Sequence, residues 1–361
     1  MYSIVTALIF PCVFKGTHVC DPKDGIDLCL VSKAELDLSI NNFVQSAYLL
    51  INCSVLIIAI QTGKSKSFNS AFIACFYVLF LVVALQAVMQ MTGTVLPDSL
   101  FRNNPSNPPV EITTAPLRNP GLFSEPSMAG VVAVSYWTYF YICNLKYGIY
   151  IREVVLSLFL VVLICSSGSL LSLAILFVAP LLVYHPFVSP TRLNILHLKR
   201  RLMLIVPVLV GVTLIMLVPS VNRLIFTFTF EKGDSGSFMA RTASDLFTLE
   251  ILKNTHYMGV GFGSNRPSSL IAYLLSNVGV AGFVLFCAMV VSVAKSSKGH
   301  EYIWLVIGCI MNAAIDVPDL TFSYIWIVLV ACIFSSTNGM CAVASDLAPK
   351  MRTLYTQGVR R

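Results

Sequence analysis

Hydrophobic residues fall along this chain in long runs, without the alternation of exposed strands or the narrow stripe of surface helices. The runs lie at about 41–60, 70–92, 127–145, 153–167, 168–184, 202–219, 269–294, 301–316 and 320–337. Each reads as a helix that satisfies its own backbone polar groups in lipid. The stretch from 153 to 184 is too long for one pass, and Ser166-Ser167-Gly168-Ser169 marks a tight turn between two. An apolar segment over 1–14 brings the expected total to ten helices. It lacks the basic start and small-residue exit of a cleaved signal peptide and falls short of the roughly 20 residues of a full span. It reads as a shortened first helix, or as the start of a chain that lacks earlier residues. Three longer polar segments remain, at about 15–40, 93–126 and 220–268, and the last is long enough to carry short helices of its own.

Composition agrees with this pattern. Hydrophobic residues make up 57% of the 361 residues and charged ones 11%, against about 25% charged in an average soluble domain. So few charges cannot cover a soluble protein of this length. The expected class is an all-α polytopic membrane protein, one integral domain over residues 1–361. The net charge of +7 does not point to nucleic acid, because the basic residues form small clusters between apolar runs and no single stripe.

Those clusters fix an orientation. The segments 61–69, 146–153, 185–201 and 295–301, with a tail over about 338–361, hold 14 of the 24 basic residues and 3 of the 17 acidic ones. The opposite side holds 10 basic and 14 acidic residues. Under the positive-inside rule both termini are expected in the cytoplasm and the three long polar segments outside. Lys199-Arg200-Arg201, with Arg192 and His197, then reads as an anchor on anionic lipid. The eleven cysteines show no CxxC and no Cys/His pair at metal spacing, so no zinc site is expected. Most lie within apolar runs, but Cys20 and Cys29 share a polar outer segment, where a disulfide and two reduced thiols are both compatible with the sequence.

Two polar islands fall on the outer side. One is Arg118-Asn119-Pro120-Gly121-Leu122-Phe123-Ser124-Glu125-Pro126-Ser127; the other runs from Arg241 to Arg266. Charges held at a bilayer surface are costly unless they serve a site. The pattern Arg118-x-x-Gly121-x-Phe123-x-Glu125-Pro126-Ser127, followed by Ala129-Gly130, resembles the first outer motif of the Wzy-type O-antigen and exopolysaccharide polymerases. The segment Arg241…Met258-Gly259-Val260-Gly261-Phe262-Gly263-Ser264-Asn265-Arg266-Pro267-Ser268-Ser269, followed by Leu274-Leu275 and Gly279-Val280-Ala281-Gly282, resembles their second. Ser166–Ser169 falls where that superfamily, which includes the O-antigen ligases, has a Ser-rich helix start.

The likeness covers roughly residues 40–340. It implies a GT-C-like membrane fold with a large periplasmic loop. The implied activity is the joining of oligosaccharide repeat units, carried on undecaprenyl pyrophosphate, at the outer face of a bacterial inner membrane. The implied enzyme is an inverting glycosyltransferase that needs neither metal nor cofactor. Its implied partners are the lipid-linked glycan, membrane lipid, a chain-length regulator and a flippase.

A pyrophosphate leaving group carries several negative charges, so a metal-free enzyme needs fixed cations to stabilise it. Arg suits this because its planar fork pairs with two phosphate oxygens and does not lose its proton. Arg118, Arg241 and Arg266 are the candidates, each with a competing reading as a surface arginine paired with a carboxylate or a lipid head group. Glu125 is the candidate base: partial burial raises proton affinity, while a helix dipole favours the anion. The alternatives for Glu125 are an anchor for Arg118 or a cap for the helix at 127–145.

Ser127, His256, Ser264 and Asn265 complete the expected substrate-binding set. In the related ligases a histidine implicated in catalysis follows the Gly-rich turn. Here His256 precedes it and Asn265-Arg266 take the later place, which favours a polymerase. Asp245, four residues after Arg241, is expected to pair with it along one helix face. Asp316 and Asp319, flanking Pro318, are expected to line the outer cavity or cap a turn. No strand precedes Gly259–Gly263 and no G-K-[ST] follows, so a nucleotide loop is not expected; these glycines should let the backbone bend, with amides near an anion.

A glycan ligase and a glycolipid transporter or flippase are the alternatives. A transporter concentrates charge near the bilayer midplane, whereas these helix interiors are almost free of ionisable groups. Reporter fusions test the orientation: residue 240 should report outside and residue 195 inside, and the reverse result would break it.

Overall fold

The computed structural model describes residues 1–20, 33–62, 68–92, 94, 119–164, 166–183, 236–296 and 301–338. Within them the chain is almost entirely helical: α1 Tyr2–Val13, α2 Ile40–Thr62, α3 Phe68–Met91, α4 Pro126–Tyr147, α5 Ile151–Ile164, α6 Ser167–Val183, α7 Gly236–Asn254, α8 Leu270–Ser296, α9 Tyr302–Asp316 and α10 Ser323–Asn338. A two-residue antiparallel pair, β1 His18–Val19 and β2 Ala34–Glu35, lies between α1 and α2. Among the described residues three helical segments are long and apolar enough to cross a membrane, Ile40–Gln61, Ser70–Gln90 and Leu270–Ser296, and α1, α9 and much of α6 and α10 are shorter apolar helices. The apolar runs expected at 1–14, 41–60, 70–92, 127–145, 153–167, 168–184, 301–316 and 320–337 each correspond to one helix. The expected helix at 202–219 and the basic cluster at 192–201 lie outside the described residues.

The core is built around α4, which is buried on every side from Ala129 to Leu145. A helix buried all round is apolar all round, so α4 has no polar stripe to betray its register. Its ends are set locally. Pro126 opens it, where a missing N–H costs nothing, and Gly148 closes it in the left-handed conformation with its N–H on the Asn144 carbonyl. Helix α9 approaches closely because Gly308 lets Thr138 and Ser135 of α4 pass within about 3 Å of where a Cβ would stand. At one end of the bundle the rings of Phe72, Tyr136, Tyr139, Phe140, Tyr150 and Tyr302 pack together. Beside them two buried glutamates find basic partners, Glu301 with Lys146 at 3.2 Å and Glu153 with Arg152 at 3.0 Å.

The run at 269–294 departs from its expected form. It is a single helix by length, but Gly279 (φ 67°, ψ −173°) breaks it. The break frees backbone groups that a continuous helix would pair internally. The segment after α7 satisfies them: Val260 and Gly261 donate N–H to the carbonyls of Ser276 and Asn277 at 2.8 and 2.9 Å, and the Tyr257 carbonyl accepts from Val280 N–H at 3.0 Å. A Cβ on Gly279 would stand 2.4 Å from the carbonyl oxygens of Tyr257 and Met258. The glycines of this segment therefore splice a loop onto a broken helix, and the amides of Val260 and Gly261, expected near an anion, are committed to carbonyls. Gly279→Ala combines a left-handed φ with a backbone clash and should destabilise the fold by on the order of 2 kcal/mol or more. Thermal unfolding in detergent reads this as a lowered midpoint, and an unchanged midpoint would contradict the splice.

Candidate functional site

Asp316, Val317, Pro318 and Asp319 end α9 and begin its connection to α10. Asp316 is buried, and the fold supplies it with two partners from distant parts of the chain. Arg241 on α7 donates to its Oδ1 at 2.7 Å, and the Ser166 hydroxyl, just before α6, donates to its Oδ2. A Cβ on Gly168 would stand 2.6 Å from the Asp316 carboxyl carbon, so glycine there lets the first turn of α6 close on the carboxylate. A helix N-terminus also favours a nearby anion. The arrangement ties α6, α7 and α9 together through one charge.

This overturns the expected Arg241–Asp245 pair. Asp245 instead accepts the Ser268 N–H at 2.8 Å, while the Ser268 hydroxyl donates to the Arg241 carbonyl at 3.3 Å. Four-residue spacing permits a pair worth only a few tenths of a kcal/mol. A buried carboxylate from another helix and an unsatisfied amide are stronger claims on the two side chains. The unpaired edge of Arg241, 35% exposed, remains available.

Arg266 stands on the loop spliced to α8. Asn277 holds that loop: its Oδ1 accepts the N–H groups of Ser264 and Asn265 at 3.0 and 2.9 Å, and its Nδ2 donates to the Asn265 carbonyl at 2.8 Å. Asn265, fully buried, donates to the Ser276 hydroxyl and accepts the Cys20 N–H. The Ser264 hydroxyl accepts from Asn42 Nδ2 at 2.7 Å. Ser264 and Asn265, expected to bind substrate, thus brace the loop, and Asn265 in addition lines a cleft.

That cleft, of about 110 Å³, is bounded by Asn41, Gln45, Gly263, Asn265, Arg266, Tyr273, Pro318 and Asp319. The Arg266 guanidinium is exposed and makes no hydrogen bond or ion pair among the described residues. The Tyr273 hydroxyl is buried without a hydrogen-bond partner among them. Asp319 is half-buried, and Thr321 donates both its N–H and its hydroxyl to Asp319 Oδ1, at 2.7 and 2.6 Å. Burial raises the Asp319 carboxyl above its ordinary value of 3.8; the Thr321 bonds and the Arg266 charge oppose that rise without cancelling it. A free cation, a carboxyl with raised proton affinity and an unpaired phenol thus line one small cleft. Chemically, such a set can hold an anion, bind hydroxyls and accept a proton.

The register of α4 against α9 and α10 brings a third group to this end. Gly308 lies against Ser135 and Thr138, and the Phe123 and Phe322 rings meet edge to face at 6.1 Å, so the start of α4 is level with the Asp316–Asp319 connection. Glu125 sits there as the N-cap residue of α4, half-buried, without a cap hydrogen bond from its side chain. Its Oε2 accepts the hydroxyl of the buried Ser127 at 3.1 Å. Arg118 lies outside the described residues. His256 does not line the cleft: it is exposed at φ 49° in a turn with Tyr257 at φ 64°.

Asn41, Gln45 and Tyr273 were not anticipated. The signal available for the first two was two polar side chains one turn apart at the start of an apolar helix. Set against known proteins, the chain shows no significant match to a family model, a curated protein or a solved structure. The electrostatics of the cleft can be tested directly by infrared titration of its carboxyl, with Asp319→Asn to assign the band. The midpoint should lie above 3.8 and rise further in Arg266→Ala, because removing a positive charge disfavours the carboxylate. A midpoint at or below the ordinary value, or a fall in the variant, would contradict the geometry.

Proposed function

We propose that this protein is a membrane-embedded glycosyltransferase that polymerises lipid-linked oligosaccharide repeat units at the outer end of the bundle. The observation that carries the reading is the convergence of Arg241 and Arg266, from separate segments, on the single connection Asp316–Asp319. The likeness to Wzy-type polymerases and the positive-inside orientation support the same assignment, with both termini cytoplasmic, α7 in the outer loop, and ten helices in the inner membrane when the apolar run at 202–219 is counted.

In this reading the acceptor hydroxyl oxygen attacks the anomeric carbon of the growing glycan. The bond from that carbon to the pyrophosphate oxygen breaks, and undecaprenyl pyrophosphate departs with the electron pair. Arg266 and the open edge of Arg241 stabilise the charge that builds on the departing oxygens, an effect strongest where water is excluded. Arg118 belongs to the same set by its motif. The hydroxyl proton passes to a carboxylate. Glu125 is the base that its motif suggests, and Asp319 is the carboxylate beside Arg266 whose raised proton affinity suits acceptance. Asn41, Gln45 and Tyr273 offer hydrogen bonds to sugar hydroxyls. The implied chain-length regulator and flippase would act alongside, on the same lipid-linked glycan.

Arg266→Ala should abolish long polymer at unchanged protein level, read on gels of extracted glycan; Arg241→Ala should abolish it too, with a lowered protein level because buried Asp316 loses its partner. Normal chain lengths in both variants would sink the pyrophosphate role. Because arginines supply the positive charge here, chelators should leave polymerisation intact, and a strict requirement for a divalent cation would overturn this mechanism.

A further inference from the structure

The Arg266 side chain is held by no partner among the described residues, so its place depends on the backbone that carries it. That backbone is gripped from two sides. Asn277 and Ser276 hold it from α8. From the other side comes Cys20, 245 residues away in sequence: its N–H donates to Asn265 Oδ1 at 2.9 Å, and its carbonyl accepts the Arg266 N–H at 3.2 Å. Cys20 is 2% exposed and disulfide-bonded. Seven of the eight described cysteines form no disulfide; the cross-linked one is the one that touches the Arg266 loop.

We propose that Cys20, through its disulfide, is a positioning residue for Arg266, so that reducing the bond loosens the arginine's loop while the bundle stays folded. The grip needs help because the strands that carry it are slight. β1 and β2 are two residues each, and so short a ribbon is marginal alone. It is sustained by the Leu36 N–H on the Thr17 carbonyl and by a small apolar cluster of Val19, Cys20 and Leu36 with Phe247, Ile251 and Val260. The cross-link constrains a segment that would otherwise lose its order at modest cost. It acts through Cys20's backbone, since the bonds to Asn265 and Arg266 are main-chain bonds of that residue. On the proposed orientation the disulfide faces an oxidising compartment, which fits its presence.

The functional consequence rests on the reading of Arg266 as a substrate-binding group, but the positioning itself can be read without substrate. Purified protein in detergent is compared before and after treatment with a phosphine. The phosphine gives the disulfide two electrons, and one water supplies two protons to the resulting thiols and the oxygen of the phosphine oxide. Hydrogen exchange in peptides covering 262–268 should accelerate about tenfold, with α4 and α9 unchanged. Cys20→Ser should reproduce this, and Cys12→Ser, at an exposed free thiol, should not. Unchanged exchange at 262–268, with reduction verified by mass, would overturn the proposal; because it uses already folded protein, that arm holds even if Cys20→Ser fails to fold. For turnover of a lipid-linked repeat unit, the reduced protein should show kcat lowered severalfold, because a loosened Arg266 stabilises the departing charge less well in the transition state. Faster exchange with unaltered kinetics would keep the positioning and discard Arg266 as a substrate group.

Discussion

A break in a helix inside a largely apolar bundle leaves backbone donors and acceptors that water cannot reach, and the architecture of the candidate site follows from how this chain answers that demand. The break is at Gly279, and the answer is the run from Tyr257 to Gly261, which lends its own amides and a carbonyl to the interrupted ladder of α8. Once that run is fixed, the next residues have little freedom. Asn277, at the end of the first half of α8, reaches Ser264 and Asn265, and Arg266 is delivered to the cleft mouth. A continuous helix would have no exposed carbonyls at Ser276 and Asn277 to receive the loop. The position of Arg266 is thus a consequence of backbone accounting more than of any contact its side chain makes.

The second arginine is held by a different principle. Asp316 is buried, and burying a carboxylate is costly unless it is paired and hydrogen-bonded. Arg241, the Ser166 hydroxyl and the first turn of α6 provide this between them. Removing one member of a fully buried pair costs about 3–5 kcal/mol, and less here because Arg241 is 35% exposed. The same pair therefore carries a structural load and leaves part of a guanidinium facing outward. Arg266 has the opposite balance: it carries no side-chain bond and faces a carboxyl that burial has biased toward its neutral form. One arginine secures the bundle and the other makes no side-chain bond among the described residues, around a single four-residue connection.

Much of this was legible in the sequence, and the omissions have physical reasons. The helices over described runs fall within a few residues of their expected bounds, because continuous apolar runs interrupted by charge leave few alternatives. The break at Gly279 was not legible: Val278-Gly279-Val280-Ala281-Gly282 reads as apolar helix, and only the loop packed against it requires the left-handed φ. Asp245 was assigned to Arg241 because local spacing is visible and a partner 75 residues away is not. Ser264 and Asn265 stood out as polar residues in a motif, but polarity in sequence does not distinguish a group that touches a ligand from one that satisfies buried amides. Asn41, Gln45 and Tyr273 joined the cleft through tertiary packing of α2 and α8, a relation that no single run of residues records.

The central claim is that the two arginines and their connection serve the growth of a lipid-linked glycan. It is tested most directly by removing the protein from its cells and profiling the lipid-linked sugars that remain. The account expects single repeat units on their lipid carrier in place of long chains. Long polymer still attached to its carrier, or single units confined to the cytoplasmic leaflet, would contradict it.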